Sequence, residues 1–598
     1  MSEKKLIKPY EGSLETLISS EIQHIFMVGA GISIDPPANL LPAPQFIQYL
    51  LELCSPKEEI QNLLTLKTLR YEMIAELLQR YIDYGLEFMD YFEFGTEPNL
   101  IHFFLAQAIT KGNAVYTTNF DYLIEYALQE ILPDDKKSQI TPVITTYDFE
   151  HNQNPDESFS EGKFPVYKLH GAKRNIITNI KTTDSLVTTI SAFGKGDVVL
   201  SLEPAKKKSL VEISKNKTLI IMGYSGSDDF DIAPVLRTLF DIERVIWIDH
   251  HSKDSIEIYE FDPKAAFVIP KGLSRTEKLL AEICSNTEAQ VIMIKANTSR
   301  FIEEKLWVLL FDKEELPKID KFKSYKVPYF KDWINEKFPD VPEVLKWKCT
   351  ADIYLDLGFN DDFYRCSQKG LIIAQETKSK KMEAEFQNLM GVYHYNNREF
   401  DEALSFFEKA LEINKMMGNQ QLQGIRINNI GLIHFEKGNY EEAMRSFEDA
   451  FKIAQGRGDY HGMAARLNNT GLVYLKQENY KKAVEKLKEA LKYDMKSGNL
   501  AGRVMRLTNI GDTYKNQKKF PEALENYRNA YQIVQKLSDR IKMGKILIEL
   551  GKTYAVMNDI GKAITNLREA IKILEGTGDK ISLFEAEETL KGVKNLLK

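Results

Sequence analysis

Cysteine is scarce in this chain. Cys54, Cys284, Cys349 and Cys366 are the four in 598 residues, and no two form a Cys-x-x-Cys pair. That spacing suggests neither a disulfide framework nor a zinc ribbon, and it predicts reduced packing thiols of a cytosolic protein. Positive charge is not in excess either: 79 Lys and Arg stand against 86 Asp and Glu, a net charge of −7. A nucleic-acid footprint normally shows as a basic excess or patch, so no nucleic-acid partner is expected. No run approaches the ~18 apolar residues of a membrane span. Residues 1–17 lack the apolar core of a signal peptide. No membrane partner and a cytoplasmic location are therefore expected. The remainder is ordinary for a globular protein, 43% hydrophobic and 28% charged, with length for several domains of about 150 residues each.

The pattern changes near residue 310. Before it, short apolar runs rich in β-branched residues alternate with helical patterns: His24–Val28, Ala114–Tyr116, Val166–Leu169, Thr218–Met222, Val245–Ile248 and Val291–Ile294. Buried strands alternating with helices predict an α/β domain with a mostly parallel sheet and helices on both faces. Residues 311–340 carry Pro317, Pro328 and Pro339 with Lys318, Lys321, Lys323 and Lys326 between them. This reads as a solvated linker.

After residue 340 the chain repeats. Gly391, Gly431, Gly471, Gly511 and Gly551 recur at one fixed interval. Ala403, Ala443, Ala483, Ala523 and Ala563 form a second column, and Ala410, Ala450, Ala490, Ala530 and Ala570 a third. Tyr474, Tyr514 and Tyr554 keep the same register, and Ala351 and Tyr354 fit a degenerate first unit. Small residues at matched positions predict one closely packed helix pair per repeat, stacked into a solenoid. A bulky column, Phe407, Phe447, Leu487, Tyr527 and Leu567, is expected to fill the space between repeats. Residues 580–598 read as a polar capping helix. Asn388, Asn428 and Asn468, with Asn429, Asn469 and Asn509, precede the glycines. They suit either a bound peptide backbone in the groove or hydrogen bonds between repeats. The pattern resembles the tetratricopeptide repeats, in a variant of about 40 residues. The resemblance implies protein or peptide binding, or self-association.

Three short motifs follow strand-like runs in the first half. Gly29-Ala30-Gly31-Ile32-Ser33 follows His24–Val28. Glycines there allow a backbone to approach a pyrophosphate, and equally allow a tight strand-to-helix turn. Thr117-Thr118-Asn119-Phe120-Asp121 follows Ala114–Tyr116 at a strand end, where ligands bind in open α/β sheets. An asparagine both donates and accepts, so it can orient a water or a hydroxyl. Asn119 or Asp121 could also cap a helix over Tyr122–Gln129. His170-Gly171 follows Val166–Leu169, and a histidine can take a proton at neutral pH, as general-base work requires. Gly223-Tyr224-Ser225 follows Thr218–Met222. Asp228, Asp229 and Asp231 after it read as acidic residues in a helix's first turn rather than as metal ligands. Asp249 ends Val245–Ile248, where a carboxylate can bind ribose hydroxyls. His250 and His251 are given no role.

In this order the motifs resemble the NAD-binding core of the sirtuins, over about residues 15–310. The resemblance implies a Rossmann-like domain that uses NAD+. It implies cofactor contacts from Gly29, Ala30, Gly31, Ser33, Asp35, Thr117, Asn119, Asp121, Gly223, Ser225 and Asp249, with Asn119 and His170 catalytic. Two departures matter. Sirtuins continue the glycine loop with a Gly-Ile-Pro-Asp-Phe-Arg segment, but here the chain reads Ile34-Asp35-Pro36-Pro37-Ala38-Asn39-Leu40. Deacylating sirtuins also carry a four-cysteine zinc module after the histidine, and no cysteine lies between His170 and Gly223, so no zinc or other metal is expected. The region Asn175–Asp197 stands in its place. The Gly-Tyr-Ser-x-x-Asp form resembles sirtuin-like domains of bacterial defence proteins. That implies NAD+ hydrolysis to nicotinamide and ADP-ribose, held silent by the repeats until a protein or peptide trigger, such as a phage protein, engages them. NAD+ depletion would then arrest the infected cell, and a homo-oligomer is expected. The competing expectations are a protein deacylase recruited by the repeats and a non-catalytic NAD or ADP-ribose sensor. The expected domains are 1–310, a linker over 311–340, and 341–598 with about six repeats and a cap.

Overall fold

The structure, a computed structural model, describes residues 6–66, 69–152, 154–186, 202–226, 232–263, 272–312, 314–319, 327–537, 539–575 and 579–596. The contacts divide the chain into two units. One comprises Met1–Tyr49, Gly85–Thr188 and Ser201–Lys337, and the other takes Leu50–Tyr84 and Phe338–Lys598. Among the described residues no helix is long and apolar enough to cross a membrane. All four cysteines are buried free thiols.

The first unit is built on one sheet. Its described strands are β1 (Ile7–Pro9), β2 (His24–Val28), β3 (Ala114–Thr117), β4 (Ile140–Val143), β5 (Phe164–Lys168), β6 (Thr218–Met222), β7 (Arg244–His250), β8 (Glu257–Phe261) and β9 (Gln290–Ala296). Their order is β1-β8-β9-β7-β6-β2-β3-β5-β4. The pairs from β4 across to β9 are parallel, and β8 and β1 join antiparallel. Alternate residues feed two cores, as a period of two requires. Phe26, Val28, Val115, Val166, Ile220 and Ile246 pack with Phe104, Leu306 and Trp307 on one face. Ile25, Met27, Tyr116, Tyr167, Leu219 and Val245 pack with Leu210 and Leu280 on the other.

The six strands expected from the sequence are all present. β1, β4 and β8 are additional. β1 is three residues long and ends on a proline, β4 contains Pro142, and β8 carries two glutamates on a half-buried segment. β1 and β4 are the two edge strands, where short or proline-bearing segments belong, β8 lies between β1 and β9, and the weak apolar pattern of all three hides them from a sequence reading.

The chain runs from β2 through β3 to β4 and β5 on one side, then returns to β6, β7 and β9 on the other. The strand order therefore reverses between β2 and β6, and an open α/β sheet binds its ligand at such a switch point, beyond the carboxyl ends. Register aligns those ends: Val28 pairs with Thr117 and with Met222, and Thr117 pairs with Lys168.

Two segments depart from the expected boundaries. The helix Phe330–Lys337 falls inside the expected linker, yet Phe330 is fully buried, its ring 4.7 Å from the rings of Phe46 and of Tyr91. It belongs with the sheet. Conversely, Leu50–Tyr84 belongs with the repeats. Within that unit Glu59, almost fully buried, accepts from Tyr354 Oη at 3.0 Å and Arg365 Nη2 at 2.9 Å. Tyr81 Oη donates to Asp352 Oδ2 at 2.8 Å and receives Lys348 Nζ at 3.0 Å.

The second unit holds the repeated helix pairs. They are Glu343–Asp356 with Asn360–Glu376, Lys380–Asn396 with Phe400–Met416, Gln420–Glu436 with Tyr440–Gly456, Tyr460–Lys476 with Tyr480–Ser497, Leu500–Asn516 with Phe520–Leu537, and Arg540–Val556 with Ile560–Leu574. Lys580–Asn595 closes the array. Its outer face is less polar than expected, since Ile581 and Phe584 are largely exposed.

The bulky column does more than fill the gaps between repeats. A Cβ on Gly391, Gly431 or Gly511 would lie 2.6 Å from Phe407, 2.7 Å from Phe447 or 2.6 Å from Tyr527. Each glycine thus seats the large side chain of its own pair. Phe407 also clusters with Ile433 of the next repeat, as Phe447 does with Val473.

The asparagines resolve to hydrogen bonds between repeats. Asn429 Nδ2 donates to Asn388 Oδ1 at 2.8 Å, Asn469 to Asn428 at 2.8 Å, and Asn509 to Asn468 at 2.6 Å. Within a repeat, Asn468 Nδ2 donates to Asn469 Oδ1 at 3.2 Å. The ladder is buried, where an unpaired amide is expensive.

Candidate functional site

The site begins where β2 ends. Gly29 N–H donates to the Met222 carbonyl at 3.2 Å and Gly31 N–H to the Gly223 carbonyl at 2.8 Å. A Cβ on Gly29 would lie 2.8 Å from Gly223 O, and one on Gly31 would lie 2.8 Å from Gly223 Cα. Gly223 itself sits at φ +64°, and its Cβ would lie 2.6 Å from Ile32. The glycines at β2 and β6 therefore let the two loops interlock across the switch point. Ala30 and Gly31 remain exposed on the outer side of that turn.

Four side chains converge behind this loop. Ser33 Oγ donates to Asp121 Oδ2 at 2.9 Å. Asn119 Nδ2 donates to Ser33 Oγ at 3.3 Å and to Asp121 Oδ2 at 3.2 Å. The Asp121 carboxylate only accepts, so it fixes the amide orientation of Asn119. Among the described residues Asn119 Oδ1 then has no hydrogen-bond partner, and it is buried. Buried polar atoms are nearly always paired, and this one is an acceptor held at a strand end.

His102 supplies the fourth member. Its Nδ1 accepts the Asn99 N–H at 3.1 Å, so the proton rides on Nε2, which lies 3.1 Å from Ser33 Oγ. Asn99 caps the helix Leu100–Thr110, and its Nδ2 donates to the carbonyls of Ile32 at 2.7 Å and Asp35 at 3.1 Å. Burial pushes the His102 imidazole down to about 4, against a raising influence from Asp121. The sign follows directly. The unfolded chain takes the proton first, so this stability is whole above about pH 6.5 and is lost as pH falls toward 4. The loss is at most about 3 kcal/mol. Denaturation midpoints measured across that window should fall for the wild type and fall less for His102→Gln, which cannot titrate.

The other expected residues are placed as follows. Thr117 Oγ1 accepts the Asn119 N–H at 3.0 Å. Asp121 Oδ1 accepts the Leu123 N–H at 3.2 Å, so Asp121, not Asn119, bonds the start of the helix Leu123–Ile131. His170 follows β5 and is half-buried, its ring 6.1 Å from that of Phe120. The Leu169 N–H donates to the Thr117 carbonyl at 2.8 Å and Thr117 pairs with Lys168, so Asn119 and His170 each stand two residues past the end of neighbouring parallel strands. Lys206 Nζ donates to the Leu169 carbonyl at 3.0 Å. Asp35 is half-buried and accepts from Ser299 Oγ. Ser225 is exposed past β6. Asp249 lies inside β7, one residue before its end and paired with Lys295, because the strand runs on to His250, and burial raises its pKa. Ser33, Asn119 and Asp121 are thus brought into one network; Asp35 meets it through its backbone carbonyl, which accepts from Asn99, and among the described residues no hydrogen bond joins the Asp35 or Asp249 carboxylate to it. Asp228, Asp229 and Asp231 lie outside the described residues, as do positions 187–197 of the Asn175–Asp197 region.

Beneath the Asn119 turn lies a buried pair that the sequence reading did not single out. Lys168 and Glu125 are each 1% exposed, with Nζ 3.2 Å from Oε1.

Comparison with known families finds two kinds of domain in the chain. The family profile for a SIR2-like domain matches residues 113–256. Tetratricopeptide-repeat profiles match residues 384–415, 425–496 and 503–576. The chain is a SIR2-like domain fused to tetratricopeptide repeats. The SIR2-like match spans Asn119, His170, Gly223, Ser225 and Asp249, while the Gly29–Asp35 loop precedes it. No curated protein matches the chain. Among solved structures, BtubC from P. vanneervenii is 18% identical over 36% of this chain and 90% of its own, at a TM-score of 0.31. A Rap protein complexed with Competence and Sporulation Factor is 14% identical over 45% of this chain and 80% of its own, at 0.38. Aspartyl phosphate phosphatase F from Bacillus subtilis is 15% identical over 46% and 78%, at 0.32.

The SIR2-like domain makes this an NAD-related protein, and the repeats make it one that interacts with other proteins. Sequence reasoning missed His102, Asn99, Lys168 and Glu125. A signal existed for the first two, because Asn99 and His102 stand in the N-cap and N3 positions of a capping box, but the pairing there usually carries Glu or Gln.

Proposed function

We propose that the SIR2-like domain hydrolyses NAD+ to nicotinamide and ADP-ribose, or a cyclic form of the latter. The observation that carries this reading is Asn119 Oδ1, a buried acceptor without a partner, aimed by Ser33 and Asp121. A water or a ribose hydroxyl supplies the donor it lacks. The bond between the nicotinamide nitrogen and ribose C1′ breaks, and its electron pair neutralises the pyridinium ring. Water oxygen bonds to C1′, and His170 takes the proton released. Gly29, Ala30, Gly31, Ser33, Asp35, Thr117, Asp121, Gly223, Ser225 and Asp249 are the proposed NAD+ contacts. The exposed turn at Ala30 and Gly31, on the switch point, suits the pyrophosphate.

The sequence after the glycine loop, Asp35-Pro36-Pro37-Ala38, and the absence of cysteine between His170 and Gly223 support water rather than acyl-lysine as the acceptor. We assign the repeats the role of a switch, engaged by a protein or peptide trigger and acting in a homo-oligomer of a cytoplasmic defence protein that depletes NAD+. The test is turnover of NAD+ with and without an acetyl-lysine peptide. Peptide-independent release of nicotinamide supports hydrolysis. Release only when peptide is present would assign the domain to deacylation.

A further inference from the structure

Lys168 is the last residue of β5, two positions before His170. Its ammonium group makes three contacts, all to the segment that carries Asn119. Nζ donates to the Asp121 carbonyl. It lies 5.2 Å from the centre of the Tyr122 ring. It pairs with Glu125, whose pKa burial raises and the Lys168 charge lowers. Neither charge reaches solvent.

A buried ion pair is poor evidence of stability. Replacing both partners with apolar residues of like volume is often neutral or stabilising, whereas removing one is strongly destabilising. Beyond the strand pairing, Lys168 supplies a side-chain cross-link from the end of β5 to the Asp121 carbonyl and to Glu125 on the helix that follows the turn. The turn after β3 and the end of β5 carry the proposed water-orienting residue and the proposed base.

We propose that Lys168, held by Glu125, is a positioning residue that fixes the register of the Asn119 turn against His170. Its catalytic consequence rests on the hydrolase reading above; its effect on the turn does not. Fixed geometry between two catalytic groups acts on the reaction step more than on substrate binding, and a displacement of about 1 Å can lower a rate about 100-fold.

The test uses the full chain carrying Lys168→Met with Glu125→Leu, which removes both charges at similar volume. Lys168→Gln with Glu125→Gln is the second variant, should the first not fold. Amide hydrogen exchange over residues 117–125 is read first. The proposal expects exchange there to rise about tenfold or more while the sheet strands keep their protection, and Glu125→Gln alone, which leaves the buried ammonium without its counter-charge, to raise it as well. Turnover is read second, with kcat down at least tenfold and KM for NAD+ within about threefold of wild type. Wild-type exchange over 117–125, or wild-type kcat, in a folded double variant would overturn the proposal. A wild-type protein that turns over no NAD+ would count against the hydrolase reading, and the exchange result would still decide the role of the pair.

Discussion

Asn119→Ala is expected to lower NAD+ turnover about 10³-fold while leaving the protein folded and able to bind NAD+. The substitution removes the unpaired Oδ1 and the two donor contacts of Nδ2. Losing one preorganised polar contact to a reacting group lowers kcat by about 10²–10³, and losing an oriented proton-transfer partner by about 10²–10⁴. The stability change is smaller, because Ser33 and Asp121 keep their own 2.9 Å bond. Asn119→Asp is expected to fail as well. It would place a second carboxylate where Nδ2 now lies 3.2 Å from Asp121 Oδ2, and like charges that close repel. Steady-state kinetics with calorimetric NAD+ binding separates the two effects. Unchanged kcat in Asn119→Ala would remove Asn119 from the chemistry.

The second large effect lies in the repeats. Asn468→Leu is expected to destabilise the repeat unit by about 2–5 kcal/mol. Asn468 accepts from Asn509 at 2.6 Å and donates to Asn469 at 3.2 Å, and it is buried. Leucine leaves Asn509 Nδ2 and Asn469 Oδ1 without these partners, while Asn469 keeps its bond to Asn428, and each orphaned buried group costs about 1–3 kcal/mol. Solenoid stability is close to a sum of repeat and nearest-neighbour terms. The loss should therefore fall on the junction between Tyr460–Ser497 and Leu500–Leu537, and leave exchange protection in Lys380–Met416 unchanged. Urea unfolding followed by helical signal reads it. A wild-type midpoint would show that the ladder contributes nothing.

What the sequence made legible follows a physical rule. Features carried by local periodicity were readable. β2 and β6 have the bounds expected for them, because each is a fully buried β-branched run closed by glycine. The repeat helices were readable because close packing confines positions 391, 431, 471, 511 and 551 to glycine. Features set by contact between distant segments were not readable. Asn429 on Asn388 and a peptide-binding face are equally consistent with the same asparagine column. His102 looks like one more residue of an apolar helix until the fold brings it to Ser33. Lys168 was visible beside His170, but Glu125 lies on another element. The helix Phe330–Lys337 was hidden by its short length and lysine-rich surroundings. Nothing local shows that Leu50–Tyr84 leaves the sheet unit, since Glu59 finds Tyr354 and Arg365 only in the folded repeats. Leu50–Tyr84, between the Gly29–Asp35 loop and the Asn99–His102 pair in sequence, belongs to the repeat unit.

The most direct measurement is incubation of the full-length protein with NAD+ and a candidate protein trigger, quantifying nicotinamide and ADP-ribose or its cyclic form by chromatography, with His170→Ala and Asn119→Ala beside it. The account predicts nicotinamide and the ribose product in equal amounts from the wild type once the trigger has engaged the repeats, without any acyl peptide, and at least about 10²-fold less from either variant. NAD+ left intact although the trigger is bound, or nicotinamide that appears only with an acetyl-lysine peptide, would contradict it.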